Sequence, residues 1–165
     1  MEGTGRSSPE SQSDRRHRRA VICLVSAIPS LASFVLAVVV LALASGPTSG
    51  GADLGALAFL VYLGGPGAAS AAILWAVGRS RRPGAAMPSS FAAALVGTSL
   101  GLSLPSTLLY LAWVLNWNRV ATGSSTSGIA LLWVPPAALV ASGFGAIAGM
   151  IAEAVIDTLR HRRSA

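Results

Sequence analysis

Four long apolar blocks separated by short polar segments decide which folds are open to this chain. They run from 20 to 44 and, approximately, from 54 to 77, from 90 to 115 and from 128 to 154. No acidic or basic residue interrupts any of them before Glu153, near the end of the fourth. A helix needs about 20 apolar residues to cross the roughly 30 Å hydrocarbon layer of a bilayer, so each block is long enough to cross once.

The composition agrees with this interpretation. Only 11% of the residues are charged, against about 25% in an average soluble domain. Inside a bilayer every backbone polar group must be hydrogen-bonded within the protein, which leaves only helices and closed β-barrels. The alternation typical of a barrel strand is missing from the four blocks. We therefore predict an all-α integral membrane protein, a four-helix transmembrane bundle.

The basic residues predict the orientation of the bundle. All 12 are Arg, and cytoplasmic segments of membrane proteins carry the excess of positive charge. Apart from Arg119, they lie in the N-terminal segment, in the link between the second and third blocks, and at the C-terminus: Arg6, Arg15, Arg16, Arg18, Arg19, Arg79, Arg81, Arg82, Arg160, Arg162 and Arg163. Both termini and the middle link are therefore predicted to be cytoplasmic, which requires an even number of crossings.

The predicted organisation has three parts: a basic cytoplasmic tail over 1–19, a transmembrane domain over 20–159 and a second basic cytoplasmic tail over 160–165. The first tail is rich in Ser, Gly and Arg and has no apolar face, so we predict that it is disordered. An alternative is a cleaved signal peptide, since Ala42, Leu43 and Ala44 form an A-x-A triplet. The first apolar block, at about 25 residues, is longer than the usual signal core of about 7 to 15, which favours a retained helix.

The net charge of +6 bears on partners. The arginines border apolar spans and carry no interleaved aromatic residues, so we expect them to bind the anionic headgroups of the bilayer and not nucleic acid. The exclusive use of Arg, with abundant Ala and Gly, is typical of bacterial proteins from GC-rich genomes. We expect a multi-pass protein of the bacterial cytoplasmic (inner) membrane, whose protein partner is another membrane protein or further copies of the chain.

The segment GTSLG, at 97–101, fits two patterns. It matches the G-x-S-x-G turn that holds the nucleophile of serine hydrolases, and it matches the G-x-x-x-G spacing by which membrane helices pack. The nucleophile turn follows a strand and needs a His and an acid beside the serine. Ser99 lies within an apolar block, while His17 and His161 lie in the tails and no Lys is present. We therefore expect no catalytic residues and no enzyme.

Glycine spacing favours the packing interpretation. Gly97 and Gly101 in the third block, like Gly145 and Gly149 in the fourth, are four residues apart and so share one face of a helix. The predicted orientation puts both pairs in the inner half of the membrane. We predict that the two stripes face each other, although Gly is also common in membrane helices without any such role.

Few residues in the sequence could bind a metal or a cofactor. Cys23 is the only cysteine, which excludes a disulfide within one chain and a cysteine-rich metal site. No phosphate-binding loop and no H-E-x-x-H motif occurs, so no cofactor is expected. Glu153 and Asp157 share a helix face at the inner membrane surface, and we predict that they form interfacial ion pairs with Arg79, Arg81 or Arg82; a cation entry point is the alternative.

Proline occurs in every block, at Pro29, Pro66 and Pro105 and as the pair Pro135 and Pro136. Each proline removes a backbone hydrogen bond and invites a kink. The most disruptive segment is GGPG, comprising Gly64, Gly65, Pro66 and Gly67, which we predict can interrupt the second helix. Interrupted helices mark the binding sites of many transporters, so this segment is a candidate substrate site.

These features give two hypotheses for function. The first is a non-enzymatic accessory or scaffold subunit that acts by helix packing, and it predicts loss of partners when the stripe glycines become bulky. The alternative is a small transporter or channel subunit for an uncharged or lipid-like substrate, which predicts loss of flux when Gly64 or Gly65 is changed to Ala. For either function, the only polar side chains expected in the interior carry hydroxyl groups: Ser26, Ser30, Ser33, Ser70, Thr98, Ser99, Ser103, Ser106, Thr107 and Ser142.

Overall fold

The computed structural model describes residues 10–45, 54–79, 87–117, 119 and 127–163, and the elements within these ranges are helical. They are α1 (Glu10–Ser45), α2 (Leu54–Arg79), α3 (Ser89–Leu115), the short α4 (Ser127–Leu132) and α5 (Val134–Arg163). Four of them, α1, α2, α3 and α5, are long and apolar enough to span a membrane. The all-helical part of the prediction is confirmed.

Successive long helices run antiparallel, as their contacts show. Ser70 of α2 lies against Ser99 of α3, while Leu63, earlier in α2, lies against Tyr110, later in α3. The contacts between α3 and α5 are ordered in the same way, from Gly97 with Gly145 to Gly101 with Ala141. The N-terminal end of α1 and the C-terminal end of α5 therefore lie at the same end of the molecule.

The helices are packed as three plus one. α1, α2 and α3 each contact the other two, whereas α5 packs mainly on α3 and touches α2 only slightly. None of the most apolar stretch of α5 is buried within the chain, compared with 33% of the corresponding stretch of α2. The fourth long helix is thus attached to one side of a three-helix core.

Buried apolar side chains fill one end of that core. They come from the C-terminal half of α1, the start of α2, the end of α3 and the α4–α5 junction: Ala37, Val40, Leu63, Tyr110, Leu131 and Val134. By the predicted orientation this is the outer end. Towards the other end the buried positions are mostly serine and glycine.

The start of α1 differs from the prediction. The composition of 1–19 predicts disorder throughout, yet the helix begins at Glu10 and covers the second half of this tail; residues 1–9 lie outside the described ranges. Between Glu10 and Ala20 there is no Gly or Pro, and Arg, Glu and Gln have good helix propensity. A helix already nucleated in the apolar block extends into such a segment at little cost.

The fourth apolar block is divided in two. α4 ends at Leu132, Trp133 forms a turn, and α5 begins at Val134. Pro135 and Pro136 have no N–H with which to continue the α4 hydrogen bonds, but proline suits the first turn of a new helix. The carbonyl of Leu132, four residues before Pro136, instead accepts a hydrogen bond from the Tyr62 hydroxyl at 2.6 Å.

The antiparallel order predicts that both termini lie on one side of a membrane. In a Cys23→Ala background, thiols introduced by Ser7→Cys and Ser164→Cys should resist a membrane-impermeant maleimide in intact cells and react after permeabilisation. Thiols introduced by Ser49→Cys and Ser125→Cys in the other two links should react in intact cells. Opposite behaviour of the two terminal thiols would contradict four crossings.

Candidate functional site

The interior of the three-helix core is lined with serine hydroxyls. Ser30 and Ser33 of α1, Ser70 of α2 and Ser99 of α3 are each at most 2% exposed. Ser26, Ser103 and Ser106 are also buried. Buried polar groups are tolerated in an apolar interior only when they are hydrogen-bonded, so the partners of these hydroxyls decide what the site can do.

Two serine pairs connect the three helices. Ser33 and Ser106 share a hydrogen bond of 2.7 Å between α1 and α3, and Ser70 and Ser99 share one of 2.6 Å between α2 and α3. The Ser70 hydroxyl also lies 3.0 Å from the Ser99 carbonyl. Such interhelical bonds contribute on average about 0.6 kcal/mol each in membrane proteins, so these pairs orient the helices more than they stabilise them.

The position of Ser99 bears on the G-x-S-x-G pattern. Ser99 is fully buried in the middle of α3, and its hydroxyl is hydrogen-bonded to Ser70. His17, about two turns into α1, and His161, near the end of α5, are both exposed. The ranges that the structure describes contain no strand that could lead into a nucleophile turn.

The GGPG segment does not interrupt α2 in the structure, which is a correction to the sequence interpretation. Residues 64–67 are helical, and Pro66 lies inside the continuous helix. Nearby carbonyls accept bonds from other helices: the Ser30 hydroxyl donates to the Gly67 carbonyl at 2.8 Å, and the Tyr110 hydroxyl donates to the Leu63 carbonyl at 2.8 Å. Hydroxyl groups of neighbouring helices are one means by which membrane helices tolerate an internal proline.

The glycines of this segment serve close packing against α1. A Cβ atom added to Gly67 would lie 2.9 Å from both the Ser30 carbonyl oxygen and the Phe34 nitrogen. One added to Gly64 would lie 3.2 Å from the Phe34 ring, whereas one added to Gly65 would meet nothing within 4 Å. The candidate substrate position is therefore largely occupied by α1.

Two similar motifs hold this part of α2. Pro29 and Ser30 precede Phe34 in α1, just as Pro105 and Ser106 precede Tyr110 in α3. The Phe34 side chain packs on Gly64 and Gly67, and the Tyr110 hydroxyl binds the Leu63 carbonyl. The sequence similarity between the first and third blocks thus corresponds to two aromatic contacts on the same turns of α2.

Backbone atoms make the closest contacts between α3 and α5. A Cβ atom added to Gly97 would overlap the Gly145 carbonyl, and one added to Gly145 would overlap the Gly97 carbonyl. Gly101 and Gly149 are equally restricted, by the carbonyls of Ala141 and Ala93. The four glycines are therefore brought together in one interface within the chain, where they let the two helix backbones touch.

Charged groups lie at the end where the chain termini meet. Asp157 pairs with Arg160 at 3.6 Å within α5, and the Arg79 guanidinium lies 4.8 Å from the centre of the Trp75 ring. Arg81 and Arg82 lie outside the described residues, so their pairing with the acids stays a prediction. The spacing of the α3–α5 contacts places Glu153 level with Ser89, the first residue of α3, where a helix N-terminus favours negative charge.

Trp113 lies near the C-terminal end of α3. Its ring lies 4.7 Å from that of Trp117, centre to centre. Its buried indole Nε1 finds no hydrogen-bond partner in the part of the chain that is described. Aromatic spacing alone cannot reveal such an atom, because its environment depends on how α3 packs.

The chemistry available in the core is that of neutral hydroxyls. Within the described ranges the buried polar side chains, apart from Tyr110, are serines, and no group of three His, Cys, Asp or Glu residues is close enough to hold a metal ion. Hydroxyls without a neighbouring base exchange hydrogen bonds but do not drive proton transfer. The arrangement therefore holds helices together and satisfies carbonyls.

No protein-family model, curated protein or solved structure matches the chain. What the chain does must therefore be inferred from its own geometry.

The glycine interface predicts a large contrast between two neighbouring residues of α5. Gly145→Ala should lower the free energy of unfolding by about 1–3 kcal/mol, because the added methyl group meets backbone that cannot move aside. Gly143→Ala, at a position with open space, should be neutral or stabilising by up to about 1 kcal/mol. Unfolding in mixed detergent micelles measures both values, and equal effects would contradict the interface.

The buried tyrosine gives a second matched pair. Tyr110→Phe removes the hydroxyl that donates to the Leu63 carbonyl in a fully buried place, which should cost about 0.5–1.5 kcal/mol. Tyr62→Phe removes a similar bond to Leu132, but Tyr62 is 40% exposed, so water can replace the hydroxyl and the cost should be smaller. The same unfolding titration compares them, and a larger cost for Tyr62→Phe would be inconsistent with this account.

Proposed function

We propose that this chain is a multi-pass protein of a bacterial cytoplasmic membrane, with both termini in the cytoplasm. It has no enzymatic activity and acts as an accessory or scaffold subunit. Four helices that are long and apolar enough to span a membrane support the membrane location. The arrangement of the termini at one end supports the orientation, and the arginines at that end favour the cytoplasmic side for it.

The uncovered face of α5 is the observation that carries the accessory proposal. This face is formed by residues at helical spacing, namely Val140, Gly143, Phe144, Ile147 and Ile151, and all of them are exposed. It points away from α3, since Gly143 and Gly145 lie about 200° apart around the helix. A helix that packs on one neighbour leaves most of its surface for lipid or for a further helix.

Helix association in membranes depends on close packing and not on apolarity, because lipid tails are as apolar as Leu. Gly143 on the uncovered face has open space around it, so a partner helix can come close to the α5 backbone there. The stripe formed by Gly97, Gly101, Gly145 and Gly149 is already used inside the chain. A partner therefore docks on the Gly143 side, and bulky residues in the internal stripe disrupt the fold first.

The buried polar groups support a non-enzymatic role. The hydroxyls in the core bind carbonyls and one another, and Ser99 has Ser70 as its partner. Acyl transfer by a serine requires a base that accepts its proton and donors that stabilise the resulting oxyanion. Neither is found around Ser99 among the contacts of the described residues.

The runner-up is a small transporter or channel subunit for an uncharged or lipid-like substrate. The buried hydroxyls between α1, α2 and α3 favour it, since they can exchange bonds with a polar molecule that passes between the helices. Transport would require α1 to move away from Gly67, which its backbone contacts now oppose. Gly65, which has space for a methyl group, is the position at which Ala stiffens α2 without a clash.

Native mass spectrometry of the protein taken from its own membrane in mild detergent tests the proposal. We expect a stoichiometric complex with another membrane protein or with further copies of the chain. Phe144→Ala should reduce this complex about tenfold or more, because it removes a large side chain from the uncovered face. Leu24→Ala on α1 is the matched control, as both residues are 71% exposed.

Equal loss from the two variants would contradict docking on α5. A monomer that carries only a small molecule would contradict the accessory role and support the transporter, and the retained molecule would then be the first substrate to test.

A further inference from the structure

A cleft of about 290 Å³ lies at the end of the molecule where the termini meet. Arg18 of α1 lines one side, and Ile156, Leu159 and Arg160 of α5 line the other. The three α5 residues follow an i, i+3, i+4 spacing and therefore share one face of the helix.

The packing of α5 explains why this cleft exists. Each step of four residues towards the C-terminus of α5 matches a step of four towards the N-terminus of α3, from Gly145 with Gly97 to Gly149 with Ala93. The next step reaches Ser89, where α3 begins. Beyond that level the face of α5 that follows the glycines has no α3 to cover it. Ile156 and Leu159 are accordingly 40% and 55% exposed.

The cleft combines two kinds of surface that suit one class of ligand. Ile156 and Leu159 offer an apolar wall at the end of a long apolar helix. Arg18 and Arg160 offer guanidinium groups, whose planar donors match phosphate oxygens in pairs. Arginine stems lie along apolar surface while their charged ends reach the headgroup level. An apolar wall beneath two cations is complementary to a lipid that carries a phosphate.

We propose that this cleft binds the headgroup of an anionic phospholipid. Arg18 and Arg160 donate hydrogen bonds to the phosphate oxygens, and the acyl chains lie along Ile156 and Leu159. The lipid thereby joins the cytoplasmic ends of α1 and α5, two helices that make little direct contact. The inference rests on the proposed membrane location and adds a defined binding site to the general attraction of the arginine clusters for anionic headgroups.

Asp157 competes for one of the two cations. It lies 3.6 Å from Arg160, which is longer than a strong charge-assisted hydrogen bond. A guanidinium has five N–H donors and can therefore bind more than one acceptor. Removing the negative charge of Asp157 should strengthen lipid binding, a gain that misfolding cannot produce.

The test uses the full-length protein in a mild non-ionic detergent, titrated with phosphatidylglycerol and, separately, with phosphatidylcholine. Native mass spectrometry measures the lipid retained. We expect selective retention of phosphatidylglycerol, a loss of about fivefold in affinity for Arg18→Gln or Arg160→Gln and of about thirtyfold for the pair. Asp157→Asn should raise the affinity.

The pair Arg19→Gln and Arg162→Gln is the matched control, because it removes the same charge from the same two helices without altering the cleft lining. An equal loss from the control pair, or equal retention of phosphatidylcholine, would overturn the site. Displacement of the lipid by an equal concentration of inorganic phosphate would overturn the lipid assignment.

Flotation with vesicles separates this result from the membrane proposal. A protein that fails to float with phosphatidylglycerol vesicles refutes the membrane location itself. A protein that floats but retains both lipids alike refutes only the cleft.

Discussion

The need of every backbone carbonyl for a partner governs this structure. A proline within a long helix breaks a backbone hydrogen bond that the helix would otherwise make. Hydroxyl groups of other helices donate to carbonyls near these breaks: Ser30 to Gly67, Tyr110 to Leu63 and Tyr62 to Leu132. The same bonds connect α1, α3 and the α4–α5 junction to α2. The polar residues of the interior therefore act as connections between helices, and α2 stays continuous through its most disruptive segment.

Close backbone contact is the second constraint, and it separates α5 from the rest. The glycines of α3 and α5 bring two backbones together so tightly that a single methyl group cannot fit between them. An interface of this kind gains packing energy without large side chains. It also uses one narrow face, so α5 keeps an uncovered surface along its length and an uncovered end beyond Ser89. Both proposals for binding, a protein on the Gly143 face and a phospholipid beside Arg160, follow from this one-sided attachment.

The interior and the surface of the protein thus differ in chemistry and in role. The core contains neutral hydroxyls that are hydrogen-bonded to one another and to carbonyls. They hold α1, α2 and α3 together as a stable frame. Charge is gathered at the end where the termini lie, on Arg18, Asp157 and Arg160 among others. α1 supplies one side of the core through Ser30 and Ser33, so cleavage after Ala44 would remove a third of the frame. Function on this account depends on what binds around the frame.

Length and composition determined the helical class and the number of long apolar helices, because uninterrupted apolar blocks leave no other hydrogen-bonded structure in a bilayer. Spacing also determined which glycines share a helix face, since a helix repeats every 3.6 residues. The sequence could not decide what each proline does: Pro66 remains inside a helix, near carbonyls that accept hydroxyls from two other helices, whereas a helix ends just before Pro135 and Pro136. Only the tertiary structure shows that Arg18 and Arg160 line the same cleft and that α5 packs mainly on α3. Such contacts depend on which faces of segments distant in sequence meet.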